Sequence, residues 1–94
     1  RYSAPLSGVF IVEVLLGNRR LAGVANVGIR PTIGDLVKPV LEVHLLDFDE
    51  DLYGQRIHVE FKAKIRDEKT FSSMDMMVTA INRDIQVARK YFTA

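Results

Sequence analysis

The apolar residues of this chain keep two different periods, and the change between them limits the fold more than any other feature. Up to about residue 66 they recur at every second position in short runs, and from Met74 onward at every third or fourth. A period of two belongs to strands with one buried face, and a period near 3.6 to an amphipathic helix. Val9 to Leu16 reads as a strand, with Val9, Ile11 and Glu13 on one face and Phe10, Val12 and Val14 on the other. Gly17-Asn18 supplies a two-residue hairpin turn, since both residues tolerate positive φ. Arg19 to Val27 is the return strand, and its Ala22, Gly23 and Ala25 let a neighbouring strand or a ligand approach the backbone closely. Gly28 to Asp35, with Pro31 fixing φ, reads as a turn-rich connection in which Pro31-Thr32 is punctuation. Val40 to Phe48 is the third strand. In the fourth, Gln55 to Ile65, the residues Ile57, Val59, Phe61 and Ala63 alternate with Arg56, His58, Glu60, Lys62 and Lys64.

Beyond a charged linker at Arg66 to Thr70, Met74, Met77, Val78, Ile81, Ile85, Ala88 and Phe92 form one stripe. The stripe predicts a helix over about 73–91 laid on the sheet, with Met77, Ile81 and Ile85 buried beneath it. Its methionines read as core. Ser72 with Asp75 is a near-match to a capping box at its start. Strands followed by a helix, without a βαβ rhythm, predict a mainly β chain: an antiparallel barrel or open sheet with one C-terminal helix. About four strands leave two sheet edges bare, so a closed barrel would need strands from outside these residues.

The 94 residues suffice for one domain, expected over 1–94 with its strands at about 8–66. Hydrophobic content of 48% and charged content of 27% are globular rather than disordered. The net charge of +1 comes without blocks of one sign, so the concentrated basic field of a nucleic-acid binder is absent. No apolar run reaches membrane-spanning length, and no signal peptide is recognisable. The absence of cysteine removes disulfides and thiolate metal sites and fits a reducing compartment without establishing one; a cytoplasmic location is the expectation. Because the chain starts at Arg1 close to a strand, it reads as an excised piece of something longer.

Chemistry concentrates on the third strand. Val40, Glu42, His44 and Leu46 share one face, while Leu41, Val43 and Leu45 form an apolar face that must look into a core. Glu42 is either a solvent-side residue or the carboxylate of a pocket wall, as a general base or cation ligand. Periodicity alone leaves both open. His44 and His58 lie on different strands without ligand spacing and read as surface or hydrogen-bonded side chains. Asp49-Glu50-Asp51 reads as solvated loop acids. No GxxxxGK phosphate loop occurs. Arg66, between a strand and a helix start, is a candidate anion contact.

Four segments in series, Gly23-Val24-Ala25-Asn26-Val27-Gly28-Ile29-Arg30-Pro31-Thr32-Ile33-Gly34, Leu41-Glu42-Val43-His44-Leu45-Leu46-Asp47, Asp51-Leu52-Tyr53-Gly54 and Ile65-Arg66-Asp67-Glu68-Lys69-Thr70-Phe71-Ser72-Ser73, resemble the riboflavin kinase domain. The likeness is to the C-terminal half of bacterial bifunctional riboflavin kinase/FMN adenylyltransferases. It implies a Greek-key β-barrel, incomplete here at the N-terminus, with a C-terminal helix. It also implies ATP-dependent phosphorylation of riboflavin to FMN with Mg²⁺, and an adenylyltransferase domain on the same polypeptide. By resemblance Glu42 is the catalytic base, Arg66 and Phe71 belong to a flap over the flavin, and Tyr53 lies nearer the nucleotide. Arg66 would reach the product phosphate. The family's nucleotide and magnesium site rests on an upstream segment ending in Pro-Thr-Ala-Asn, which these residues do not contain; Pro31-Thr32-Ile33-Gly34 is a different motif. The expectation is therefore the flavin-side part of a kinase domain, without a metal site of its own and inactive alone. The rival reading is a non-catalytic small β-barrel that binds a ligand or partner.

Overall fold

The computed structural model describes residues 7–31, 33, 34 and 36–94. Residues 1–6, Thr32 and Asp35 lie outside them, so the expected turn at Pro31-Thr32 is described only in part. Strands β1 (Gly8–Leu16), β2 (Arg19–Pro31), β3 (Val37–Leu45) and β4 (His58–Arg66) precede helix α1 (Met74–Thr93). They form one antiparallel sheet in the order β3-β2-β1-β4. Three hairpin-connected strands, with the fourth returning beside the first, make a Greek key. Within the described residues the sheet does not close: β3 and β4 are its free edges, as four strands require. The β1–β2 hairpin turns where the sequence places it, at Gly17 with φ 62°.

Two clusters divide the apolar side chains. On one face Phe10, Val12, Val14, Ala25 and Val27 are buried, with Leu21, Val43, Leu45 and Val59 packed against them. Phe10 meets Phe61 edge-on at 5.2 Å. On the other face Ile11 and Leu46 pack with Ala88 of α1, joined by Ala22, Val24, Ala63, Ile65, Ile85 and Phe92. The small residues of β2 admit a neighbouring strand: a Cβ on Gly23 would lie 2.9 Å from the His44 carbonyl oxygen.

Five expectations need correction. β2 runs on through Ile29 and Arg30 to Pro31, because Gly28 to Pro31 pair with Val40 to Val37 where a turn was expected. β3 accordingly starts and ends three residues earlier, and the chain reverses at Asp47 with φ 54°. In β4 the simple alternation fails, since the pairing with β1 skips at two places. The shift between Ile11 and Val12 moves Ala63 from the Val59 face to the helix side, as a bulge does by adding one residue to one strand. The helix cap is Ser73, whose Oγ accepts from Met76 N at 3.2 Å, whereas Ser72 points its hydroxyl at Met76 Sδ.

The fifth correction concerns the helix face. Ala88 and Asp84 are buried, but Ile81 is 42% exposed. The docking residues are Ile85, Ala88 and Phe92 in the C-terminal half, where small Ala22 lets the helix come close. Toward its N-terminus the helix leaves a gap above the sheet, lined by Val24, Ile81 and Ile85. Arg89 grips Asp47 through two hydrogen bonds of 2.7 and 3.0 Å and ties α1 to the end of β3. That hydrogen bond, reinforced by the guanidinium charge, holds the Asp47 carboxyl below its ordinary pKa. The associated stability is present above the ordinary carboxylate pKa and is lost as pH falls through the lowered value.

This packing predicts unequal costs for two isoleucines. Ile11→Ala, at a site 4% exposed, should cost about 2–5 kcal/mol in urea denaturation. Ile81→Ala should cost about 1 kcal/mol or less, because little apolar surface leaves water there. Equal losses would contradict the tilted docking of α1.

Candidate functional site

The site is built where the helix stands away from the sheet. Asn26 and Glu42 are direct partners across β2 and β3, so both side chains project from the helix-facing side. Val9 pairs with Asn26 on one side and with Arg66 on the other, which brings Arg66 to the same face. A cavity of about 300 Å³ results, walled by Val9, Val24, Ile81 and Ile85 and carrying Asn26, Glu42, His44, Arg66 and Asp84. The Asn26 Oδ1 is buried there without a hydrogen-bond partner. Glu42 is therefore a cavity residue as well as a partly exposed one, its side chain 65% accessible.

Arg66 is fixed from below. Its Nε and Nη2 donate to the two carboxylate oxygens of Asp84 at 3.0 and 2.8 Å. Asp84 is the buried charged side chain among the described residues, at 4% exposure. A carboxylate so placed needs a partner, and the planar guanidinium fork satisfies both oxygens at once. Nη1 donates to the Asp67 carbonyl at 3.2 Å. The guanidinium carbon lies 5.6 Å from the Phe71 ring centroid, and Lys69 Nζ lies 5.9 Å from it. Phe71 thus carries two cations, and cation–π attraction fixes the later part of the segment between β4 and α1.

That segment walls a second cavity of about 690 Å³, between Ile29 and Arg30 of β2 and the first turns of α1. Phe71, Met74 and Met77 give it an apolar side, and Glu68, Lys69 and the serines a polar one. Arg30 connects the two cavities: Nη1 donates to Glu68 Oε2 at 3.0 Å, and Nη2 stands 3.7 Å from Glu42 Oε1. The structure therefore puts Glu42 and Arg66 in one cavity and Phe71 in the neighbouring one. Tyr53 joins neither; it is 94% exposed on the loop before β4. His58 sits at the far end of β4 within 4.0 Å of Glu60. Sequence reasoning missed Asn26, Arg30 and Asp84. Arg30 was hidden in an expected turn, and Asp84 falls outside the apolar stripe by which the helix was recognised.

Among the described residues no group of three or more His, Asp or Glu side chains could hold a metal ion. Glu42, the carboxylate nearest to such a role, faces Arg30. The Mg²⁺ that the resemblance implies does not fit these residues by themselves.

The fold class is a Greek-key β domain with a carboxylate-bearing cavity under its C-terminal helix. The riboflavin kinase family model (Flavokinase) matches residues 1–92, and the chain belongs to that family. It is 47% identical, over 95% of its length, to a bifunctional riboflavin kinase/FMN adenylyltransferase of Pseudomonas fluorescens. It is 48% identical, over 98%, to the one of Escherichia coli K12. The chain spans 29% of the length of each of these relatives. An RNA-binding riboflavin kinase of Bacillus subtilis is 35% identical over 92% of this chain and 37% of its own. A crystal structure described as a macrolide-efflux protein from Streptococcus pneumoniae superposes with a TM-score of 0.83 at 32% identity, covering 93% of this chain and 28% of that one.

The Arg66–Asp84 pair yields a stability prediction. Asp84→Ala leaves a partly buried guanidinium without its counter-ion and should cost about 3–5 kcal/mol in chemical denaturation. A loss below about 1 kcal/mol would show that the pair does not anchor the helix.

Proposed function

We propose that this chain is the flavin-side part of a riboflavin kinase that phosphorylates riboflavin to FMN with ATP. Membership of the family supplies the reaction class, and the helix-side placement of Glu42 in a cavity with Arg66 carries the assignment of residues. In this reading Glu42 is the catalytic base. Its carboxylate accepts the proton of the ribityl 5′-hydroxyl as the oxygen bonds to the γ-phosphorus and the bond to the bridging β–γ oxygen breaks, releasing ADP. An acceptor without a donor at Asn26, beside the Glu42 carboxylate, suits a hydroxyl-bearing ligand better than a phosphate, whose oxygens only accept.

The apolar side of the larger cavity suits the flavin ring, with Phe71 as its cover. Arg66 is held by Asp84 through Nε and Nη2 and by the Asp67 carbonyl through Nη1, so it acts as a fixed positive charge toward the product phosphate. Tyr53 stays on the nucleotide side by resemblance. ATP would arrive with Mg²⁺, which neutralises phosphate charge when bound and needs ligands besides the residues described above. The relatives' second activity extends the reading to an adenylyltransferase domain on the same polypeptide, making FAD from FMN. Both substrates are metabolites of the cytoplasm, which is the location this reading implies.

In the full-length protein Glu42→Gln should lower kinase turnover by roughly 10²–10⁴-fold, the range for a positioned base. Adenylylation of supplied FMN should continue at its normal rate. Unchanged FMN formation would remove Glu42 from the chemistry, and equal loss of both activities would point to misfolding.

A further inference from the structure

We infer that Arg30 is a positioning residue, which ties the Glu42 carboxylate to the segment 67–73 through Glu68 and across the bare backbone of Gly28. The inference rests on the kinase reading for the role of Glu42, but its geometry is independent of that reading. Asn26, Gly28 and Arg30 occupy alternate positions of β2 and therefore share the helix-facing side. Gly28 has no positive φ that would demand glycine, and its strand geometry suits any residue. Space is what it provides. A Cβ at position 28 would collide with Glu68 Oε2 and Arg30 Nη1, and would lie 2.8 Å from Glu68 Cδ. The guanidinium and carboxylate thus lie on the strand itself, in the place where a side chain would otherwise stand.

This arrangement lets one guanidinium serve two carboxylates from different parts of the chain. Nη1 donates to Glu68 at 3.0 Å, and Nη2 lies 3.7 Å from Glu42. Lys38 is the cross-strand partner of Arg30 on this face, and like-charge repulsion from it favours the turn of Arg30 toward Glu42 and Glu68. Glu68 precedes Phe71 by three residues, and both line the larger cavity with Arg30. Holding Glu68 therefore sets where Phe71 sits, while the Nη2 contact limits the orientations open to Glu42. The side chains are partly exposed, 44% for Arg30 and 34% for Glu68, so the expected effects are moderate rather than drastic.

The test is steady-state kinetics of FMN formation by the full-length protein, with thermal melting alongside. Glu68→Gln should raise the riboflavin KM about three- to fivefold with kcat unchanged, the scale of a partly exposed ion pair. Arg30→Met should raise KM by the same factor and also lower kcat, because it releases Glu42 as well. The double variant should be no worse than Arg30→Met, since Glu68 acts through Arg30. Gly28→Ala is the decisive probe: its methyl group displaces only the ends of two flexible side chains, so it should raise KM like Glu68→Gln while melting at the parental temperature. Unchanged KM in Gly28→Ala and Arg30→Met, or additive losses in the double variant, would overturn the inference. A lowered melting temperature in Gly28→Ala would do the same, by making the position structural. A Glu42→Gln enzyme of normal turnover would instead refute the base assignment, and the KM effects of Gly28 and Glu68 would still report on the tether.

Discussion

A buried carboxylate cannot stay charged without a partner, and the bidentate grip of Arg66 on Asp84 answers that demand across the sheet–helix interface. The rest of the site follows from where this pair sits. The C-terminal half of α1 lies flat on Ala22, Leu46 and Ile11, held at its side by Arg89 and Asp47. One turn earlier, two layers of polar side chain have to fit between helix and strand, and the elements separate. That gap is the cavity in which Glu42 and Asn26 stand. The ion pair consequently spaces the helix from the sheet as much as it fastens the two together, and its free side orients Phe71.

The strands were legible because each keeps one apolar face, as did the hairpin at Gly17-Asn18 and the existence of the helix. The errors share a physical cause, which is that pairing overrides local pattern. Ile29 and Arg30 flank a proline and a glycine and look like a turn, yet β3 offers them partners and they extend as strand. Ala63 obeys the alternation of β4 in sequence and breaks it in space, because bulges are defined by the neighbouring strand. The helix stripe is continuous from Met74 to Phe92, but only the sheet decides which half of it docks. At the site, Glu42 could be placed on a face and no further. Its neighbours Arg30 and Asp84 acquire meaning only when β2, β4 and α1 meet.

The charges of the molecule fall into separate groups with separate uses. Arg20, Lys62, Glu13 and Glu60 form a network at the Leu15–His58 end of the β1–β4 pair. Arg19 and Glu50 close the loop after β3 with paired bonds of 2.9 Å, beside a cation–π contact to Phe48. These exposed pairs stabilise little individually. Arg30, Arg66 and Lys69 are different, because all three converge on the segment between β4 and α1. Both arginines meet carboxylates there, Arg30 with Glu68 and Glu42 and Arg66 with Asp84, so these charges position side chains rather than form a basic field.

In the proposed reading the helix-side cavity receives the hydroxyl end of the flavin at Glu42. A crystal structure of the full-length protein with riboflavin bound tests it directly. The ribityl 5′-oxygen is expected within hydrogen-bond reach of the Glu42 carboxylate, roughly 2.6–3.2 Å, with the ring system toward Phe71. A flavin seated on the opposite face of the sheet, or with its 5′-oxygen turned away from Glu42, would contradict it.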